Sequence, residues 1–204
     1  MSAPRQPREL PIDTPDEPPQ ERGDAARNRA LLLGAARRLV TELGADAVTM
    51  DGVAATAGVG KGTVFRRFGS RAGLMLALLD DDERTSQQAF LFGPPPLGPD
   101  APPIDRLVAF GGERIRFVHT HHALLSAANR DPQTRHIGAA AVLHTHVRML
   151  LRSAQTTGDV DIQTDALLAL LSPDYVEHQL RDGGHTLDSL TKAWESLARK
   201  LCGR

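Results

Sequence analysis

At 204 residues, with a net charge of -1, aromatics at 4% and a single cysteine, the chain is long enough to bury a core without disulfides. Cys202 alone excludes an intramolecular disulfide and a cysteine-based metal cluster, and it suits a reducing cytoplasm. No apolar run approaches the ~20 residues of a membrane span and the N-terminus has no signal pattern, so a cytoplasmic protein without a membrane partner is expected.

The chain opens on a segment with Pro4, Pro7, Pro11, Pro15, Pro18 and Pro19, too many ring-locked positions for a helix or central strand. Residues 1–23 are expected to form a disordered arm. Arg5 and Arg8 are outnumbered there by Glu9, Asp13, Asp16, Glu17 and Glu21, which argues against DNA contact by the arm. From residue 24 onward the apolar spacing is helical almost throughout, so the fold class is all-α.

A first helix is expected from about Asp24 to Leu43, with Leu32, Ala35, Ala36, Leu39, Val40 and Leu43 facing inward and Gly44 ending it. Thr49 stands where an N-cap is wanted, before a short helix with Val53, Ala54 and Ala57 that Gly58 closes. The next segment, "VGKGTVFRRFGSR", reads as a third helix with Val64 and Phe68 inward and Lys61, Gly62, Thr63, Arg66 and Arg67 facing solvent. Helix, glycine turn and short polar helix make a helix-turn-helix. A phosphate-binding P-loop would need a preceding strand and a different order of glycine, lysine and hydroxyl residue. A merely solvated basic face is the bland alternative. Against it, residues 22–75 hold nine basic side chains (Arg22, Arg27, Arg29, Arg37, Arg38, Lys61, Arg66, Arg67, Arg71) and four acidic ones (Asp24, Glu42, Asp46, Asp51), a local +5 in a chain whose total is -1.

The run "AARRLVTELGADAVTMDGVAATAGVGKGTVFRRFGSRAGLM", residues 35–75, resembles the tetracycline-repressor (TetR) family of bacterial regulators in the order and spacing of its helix, glycine turn and G-K-G-T-hydrophobic-aromatic-x-x-F-x-S-basic pattern. The resemblance implies an N-terminal three-helix DNA-binding domain with a helix-turn-helix, followed by a helical ligand-binding and dimerisation domain. It implies that Thr49 caps the second helix and holds a backbone phosphate, and that Lys61 and Thr63 sit over bases and phosphates. Phe65 replaces the family's usual tyrosine, so its ring keeps apolar contact but loses a phenolic hydrogen bond to phosphate. Arg67 stands where histidine is common, with Arg66 before it at a variable position. Ser70 would cap the fourth helix, Arg71 would replace a lysine as phosphate clamp, and Gly60 lacks the usual serine's capping hydroxyl. The DNA-binding set is therefore Thr49, Lys61, Gly62, Thr63, Phe65, Arg66, Arg67 and Arg71.

The fourth helix carries Leu74, Met75, Leu78 and Leu79 and then "DDDE" at 80–83, read chiefly as a solvated face. "FGPPPLGPDAPP", 92–103, is a loop by its prolines. The domains are expected at 24–70 for DNA binding and 71–204 for regulation and dimerisation, with the fourth helix shared between them. Further helices are expected at roughly 104–119, 121–130, 133–155, 164–182 with a kink at Ser172-Pro173, and 187–202.

"SPDYVEHQLRDGGHTL" resembles, more weakly, the family's dimerisation region, and Leu187, Leu190, Trp194, Leu197 and Leu201 form one apolar seam, so a homodimer through the last two helices is expected. That seam could instead be the helix's contact with its own core. Phe110, Arg114, Phe117 and His121 share a stripe that mixes apolar wall with polar anchors, as a small-molecule pocket does. His119, His121 and His122 cluster, and His144 and His146 point to different faces; no metal site and no cofactor are expected. No catalytic motif appears, so an enzyme is not expected. The function expected is a ligand-responsive transcription regulator, a repressor that a small-molecule effector releases from a double-stranded DNA operator. The alternative is an all-α metal-binding protein or enzyme with an incidental basic face.

Overall fold

The computed structural model describes residues 19–129 and 137–203. Among them are ten α-helices and no strand. The helices are α1 (Pro19–Leu43), α2 (Met50–Ala57), α3 (Lys61–Phe68), α4 (Arg71–Phe92), α5 (Pro103–Thr120), α6 (His122–Asn129), α7 (Ile137–Ser153), α8 (Val160–Ala169), α9 (Pro173–Arg181) and α10 (Leu187–Leu201). The proline-rich arm expected through residue 23 lies mostly outside the described residues, and α1 begins already at Pro19, inside it. A proline fits the first position of a helix, where its missing N–H would have no partner anyway.

Local chemistry sets the boundaries of the first three helices. Gly44, at φ +82°, stops α1, and a 3₁₀ turn at Ala45–Ala47 follows. The Thr49 hydroxyl oxygen accepts from the Gly52 amide at 3.0 Å and starts α2. Gly58 closes α2 in the left-handed conformation that a Cβ disfavours. α3 starts at Gly60 with no side-chain cap, while Ser70 caps α4 through the Gly73 amide at 3.0 Å.

Two cores result. The first gathers Leu32, Leu33, Ala35 and Ala36 of α1, Val53 and Ala54 of α2, Val64 of α3 and Leu74, Met75, Leu78 and Leu79 of α4, and it takes in Phe117 of α5 and Leu124 of α6. Leu43, expected inward, is 58% exposed, because α1 has already passed the core by its last turn. The second core holds Phe90, Leu107, Phe110, Val147, Leu150, Leu151, Leu167 and Trp194. α4 contributes to both and so joins the head to the body.

Three sequence readings change. Ser172-Pro173 does not kink one helix from 164 to 182: α8 ends at Ala169, and Ser172 caps a separate α9 whose first residue is Pro173. The "DDDE" run is no solvated face. Asp81 and Asp82 pair with Arg37 of α1, and Glu83 is buried against Arg114 of α5, because α4 runs between those two helices. Trp194 of the apolar seam is 3% exposed and faces its own body. Its indole N–H donates to the Leu107 carbonyl at 3.0 Å, and its ring covers Gly111, where a Cβ would fall 1.8 Å from it.

Candidate functional site

α3 is held by Val64, which is fully buried, with Phe68 half-buried beside it. The opposite face carries Lys61, Gly62, Phe65, Arg66 and Arg67, all exposed, with Thr63 half-buried at its edge. Gly62 meets no atom within 4 Å of an added Cβ, so its smallness serves the outer surface and not the packing. The Lys61 ammonium lies 2.8 Å from the Asp51 carboxylate of α2 and 5.7 Å from the Phe65 ring centroid. That bridge is exposed on both sides, so solvent screening makes it cheap to give up for a phosphate or a base edge. Arg66 reaches the Thr63 hydroxyl at 3.5 Å, and Arg67 reaches the Ala25 carbonyl of α1 at 3.5 Å. Between α1 and α3 lies a hollow of about 240 Å³ bordered by Ala25, Asn28, Arg29, Thr63, Arg66 and Arg67. Asn28 and Arg29 were not singled out from sequence, because they precede the motif, although Arg29 adds to the local basic excess.

Thr49 and Arg71 sit behind this face. The Thr49 hydroxyl is exposed and uses only its oxygen as acceptor for the cap, so its own proton is left to donate outward. Arg71 donates to the Val48 carbonyl at 2.9 Å and to the Ala45 carbonyl at 2.5 Å, and lies 3.7 Å from Asp46. Its guanidinium therefore braces the turn that presents Thr49.

The stripe Phe110, Arg114, Phe117 and His121 does not line a single pocket. Phe110 is wholly buried in the second core, edge-on to Phe90 at 5.2 Å. Arg114 donates to both Glu83 oxygens, at 3.1 and 3.0 Å, with only 7% and 8% of the two side chains exposed. It borders a cavity of about 280 Å³ whose walls include Leu79, Leu125, Leu143, Leu168 and Leu171. Phe117 belongs to the first core, below the Arg114 guanidinium at 4.3 Å and stacked on His121 at 4.1 Å. His121 contacts Asp82 at 3.1 Å and borders a cleft of about 490 Å³ between α1, α4 and α6. One stripe thus runs from the body's core, past a cavity, to the junction with the head.

Four further histidines approach carboxylates: His119 and His122 lie 3.3 and 3.7 Å from Glu177, His144 lies 3.2 Å from Asp165 and His178 lies 3.0 Å from Asp182. Among the described residues no group of three histidine, cysteine or acidic side chains is placed to hold a metal ion. His146 differs. It is 2% exposed between Phe90 and Phe110, with centroids 4.4 and 5.1 Å away, and neither ring nitrogen has a hydrogen-bond partner. Burial, aided by the Arg106 charge, holds it down to about 4. Burial likewise pushes the Glu113 carboxyl up, against the pull of Arg114 and of the Ser86 hydroxyl that donates to it.

An all-helical chain whose head presents a short basic helix, and whose second core is a separate helical body, defines the class of helix-turn-helix regulators. Residues 32–78 match the family model described as "Bacterial regulatory proteins, tetR family". No curated protein matches the chain. Solved structures share its fold. A choline-bound protein of Saccharomonospora viridis, assigned as a transcriptional regulator, aligns with a TM-score of 0.66 at 18% identity, over 84% of this chain and 95% of that one. A TetR-like transcriptional regulator from Rhodococcus sp. RHA1 aligns at 0.57 and 22% identity, over 87% and 97%. NalD, the secondary repressor of the MexAB-OprM multidrug efflux pump in Pseudomonas aeruginosa, aligns at 0.56 and 18%, also over 87% and 97%. At these identities the structures speak for the fold, and the motif speaks for the head. Residues 32–78 are thus similar to the DNA-binding head of tetR-family bacterial regulatory proteins, and the whole chain shares the fold of solved regulators of that kind. No helix among the described residues is long and apolar enough to cross a membrane.

Proposed function

We propose that the protein is a cytoplasmic, ligand-responsive repressor that a small-molecule effector releases from a double-stranded DNA operator. The observation that carries this reading is the outer face of α3, where Lys61, Phe65, Arg66 and Arg67 stand exposed on a helix anchored by buried Val64. In this reading Lys61, Gly62, Thr63, Phe65, Arg66 and Arg67 meet the major groove, while Thr49 and Arg71 secure the phosphate backbone. Residues 24–70 act as the DNA-binding unit and 71–204 as the regulatory and dimerisation unit, with α4 shared. The effector enters beside Arg114, above Phe110, and Phe117 and His121 pass its presence to Asp82 and so to Arg37 of the head. One relative of the same fold is bound to choline, which supports a small organic effector for this body.

Two copies pair through α9 and α10, so that two heads span half-sites about 34 to 36 Å apart or a multiple of that. Leu197 at 40% exposure and Tyr175 at 38%, beside an apolar groove that includes Leu170, Leu190 and Ala193, support that surface. The test is binding of a labelled random duplex by anisotropy across a salt titration. Affinity should fall steeply and linearly in log salt, and Arg71→Ala should flatten the slope by about 1. Salt-independent binding, or none, would return the basic face to an incidental role.

A further inference from the structure

A buried arginine ordinarily has its nitrogens engaged, because an unmet N–H away from water is costly. Arg114 of α5 departs from this. Its side chain is 7% exposed, and Nη1 donates to both oxygens of Glu83, at 3.1 and 3.0 Å. Among the described residues Nε and Nη2 have no hydrogen-bond partner, and both keep some accessible surface. The Phe117 ring lies against the guanidinium, its centroid 4.3 Å from the central carbon, so the edge that carries Nε–H and Nη2–H is what remains open.

That edge has an apolar space beside it. Arg114 stands on the wall of the cavity of about 280 Å³, whose other walls include Leu125 of α6, Leu143 of α7 and Leu168 of α8. Ser172 and Pro173, the N-cap and first residue of α9, border the same cavity. The Ser172 oxygen accepts from the Tyr175 amide at 3.4 Å, which leaves its proton to donate elsewhere. The positive end of the α9 dipole therefore reaches the cavity too, while Asp174 in its first turn is exposed and screened by solvent.

Both Glu83 oxygens have a partner and two Arg114 nitrogens have none, so the unmet demand is for an acceptor. A carboxylate fits the Nε–Nη2 edge by two parallel hydrogen bonds. Against it stands the Glu83 charge, which already balances Arg114; the α9 terminus and the Ser172 hydroxyl offset that repulsion. The volume lies just below the roughly 300 to 1,000 Å³ of drug-sized sites, which suits a small molecule.

Resting on the reading of this body as an effector-binding domain, we infer that the cavity takes a small monocarboxylate, its oxygens on Nε and Nη2 of Arg114 and its apolar body among Leu125, Leu143 and Leu168. Arg114 then holds the head of the ligand with one edge and Glu83 of α4 with another nitrogen, so the bound acid touches the helix shared with the head.

The test compares hexanoate with its methyl ester, which keeps the carbonyl without the charge, and with hexylamine. Calorimetric titration and thermal shift are run on the full chain near neutral pH, without DNA. Hexanoate should raise Tm and bind about tenfold tighter than the ester, since charge-assisted hydrogen bonds are the stronger ones, and the amine should bind weakest. Glu83→Gln removes the like charge across the guanidinium and should strengthen hexanoate about tenfold while leaving the ester nearly unchanged. Methionine at both 83 and 114 should reverse the order, the ester then binding tighter than hexanoate. An ester or amine that binds the parent as tightly as hexanoate, a Glu83→Gln protein no better for hexanoate than the parent, an order that survives the double variant, or binding by none of the three would overturn the inference. The ranking on the parent chain needs no variant to fold. Duplex affinity measured with and without hexanoate separates the two readings. Hexanoate binding that follows this ranking but leaves DNA affinity unchanged would sink effector control and keep the site, whereas absence of binding sinks the site whatever DNA does.

Discussion

Replacing Arg114 by Met would remove the positive charge that faces Glu83 across 3.0 Å in a nearly dry contact. Breaking one partner of a buried ion pair typically costs about 3 to 5 kcal/mol. A loss of that size is a large share of the roughly 5 to 15 kcal/mol that a domain has. Methionine at both 83 and 114 should recover most of the loss, since an apolar pair of similar volume replaces the ions. Urea unfolding of the three proteins at pH 7 decides the matter. A loss under about 1 kcal/mol for Arg114→Met, or no recovery in the double variant, would refute the reading of this pair as buried and mutually compensating.

Lys61→Ala with Arg67→Ala should abolish sequence-specific DNA binding while leaving the fold intact, since both side chains are exposed and a bidentate arginine–guanine contact is worth about 1 to 3 kcal/mol; gel shift with circular dichroism checks it. Thr49→Ala should cost about 1 kcal/mol of stability through the lost cap and weaken specific and random duplex alike, read by thermal melts and anisotropy. Leu197→Glu should give monomers with reduced operator affinity and unchanged helicity by light scattering; Leu197 is the better probe than Leu190, which packs against its own core. Because His146 is held to about 4 against an unfolded value of 6.5, the unfolded chain takes up the proton first. Stability should fall as pH drops from 6.5 towards 4, by up to about 3 kcal/mol, and His146→Phe should remove that slope in acid titrations of Tm.

The head was legible in sequence because its boundaries are set by neighbours a few residues apart. Thr49 and Ser70 cap through amides three residues on, and Gly44 and Gly58 end helices by their own backbone freedom. What stayed hidden depends on distant partners. "DDDE" reads as a solvated run until α4 is seen lying between Arg37 and Arg114, residues 44 and 31 positions from their partners Asp81 and Glu83. Trp194 fits a dimer seam as well as a core until its indole is seen over Gly111, which alone leaves room for it. The stripe from Phe110 to His121 is continuous on one helix, yet α4 divides its surroundings between two cores. His146, noted in the sequence only for its spacing from His144, carried no sign of its burial, since its neighbours Phe90 and Phe110 lie on other helices.

The central claim, a paired reader of DNA built on α3, is tested most directly by selecting from a random duplex library with the purified full chain and sequencing what it retains. Enrichment of an inverted repeat, with half-sites one helical turn or a multiple apart and lost with Lys61→Ala and Arg67→Ala, is the expected result. Retention without any enriched sequence, or enrichment that survives those substitutions, would contradict it.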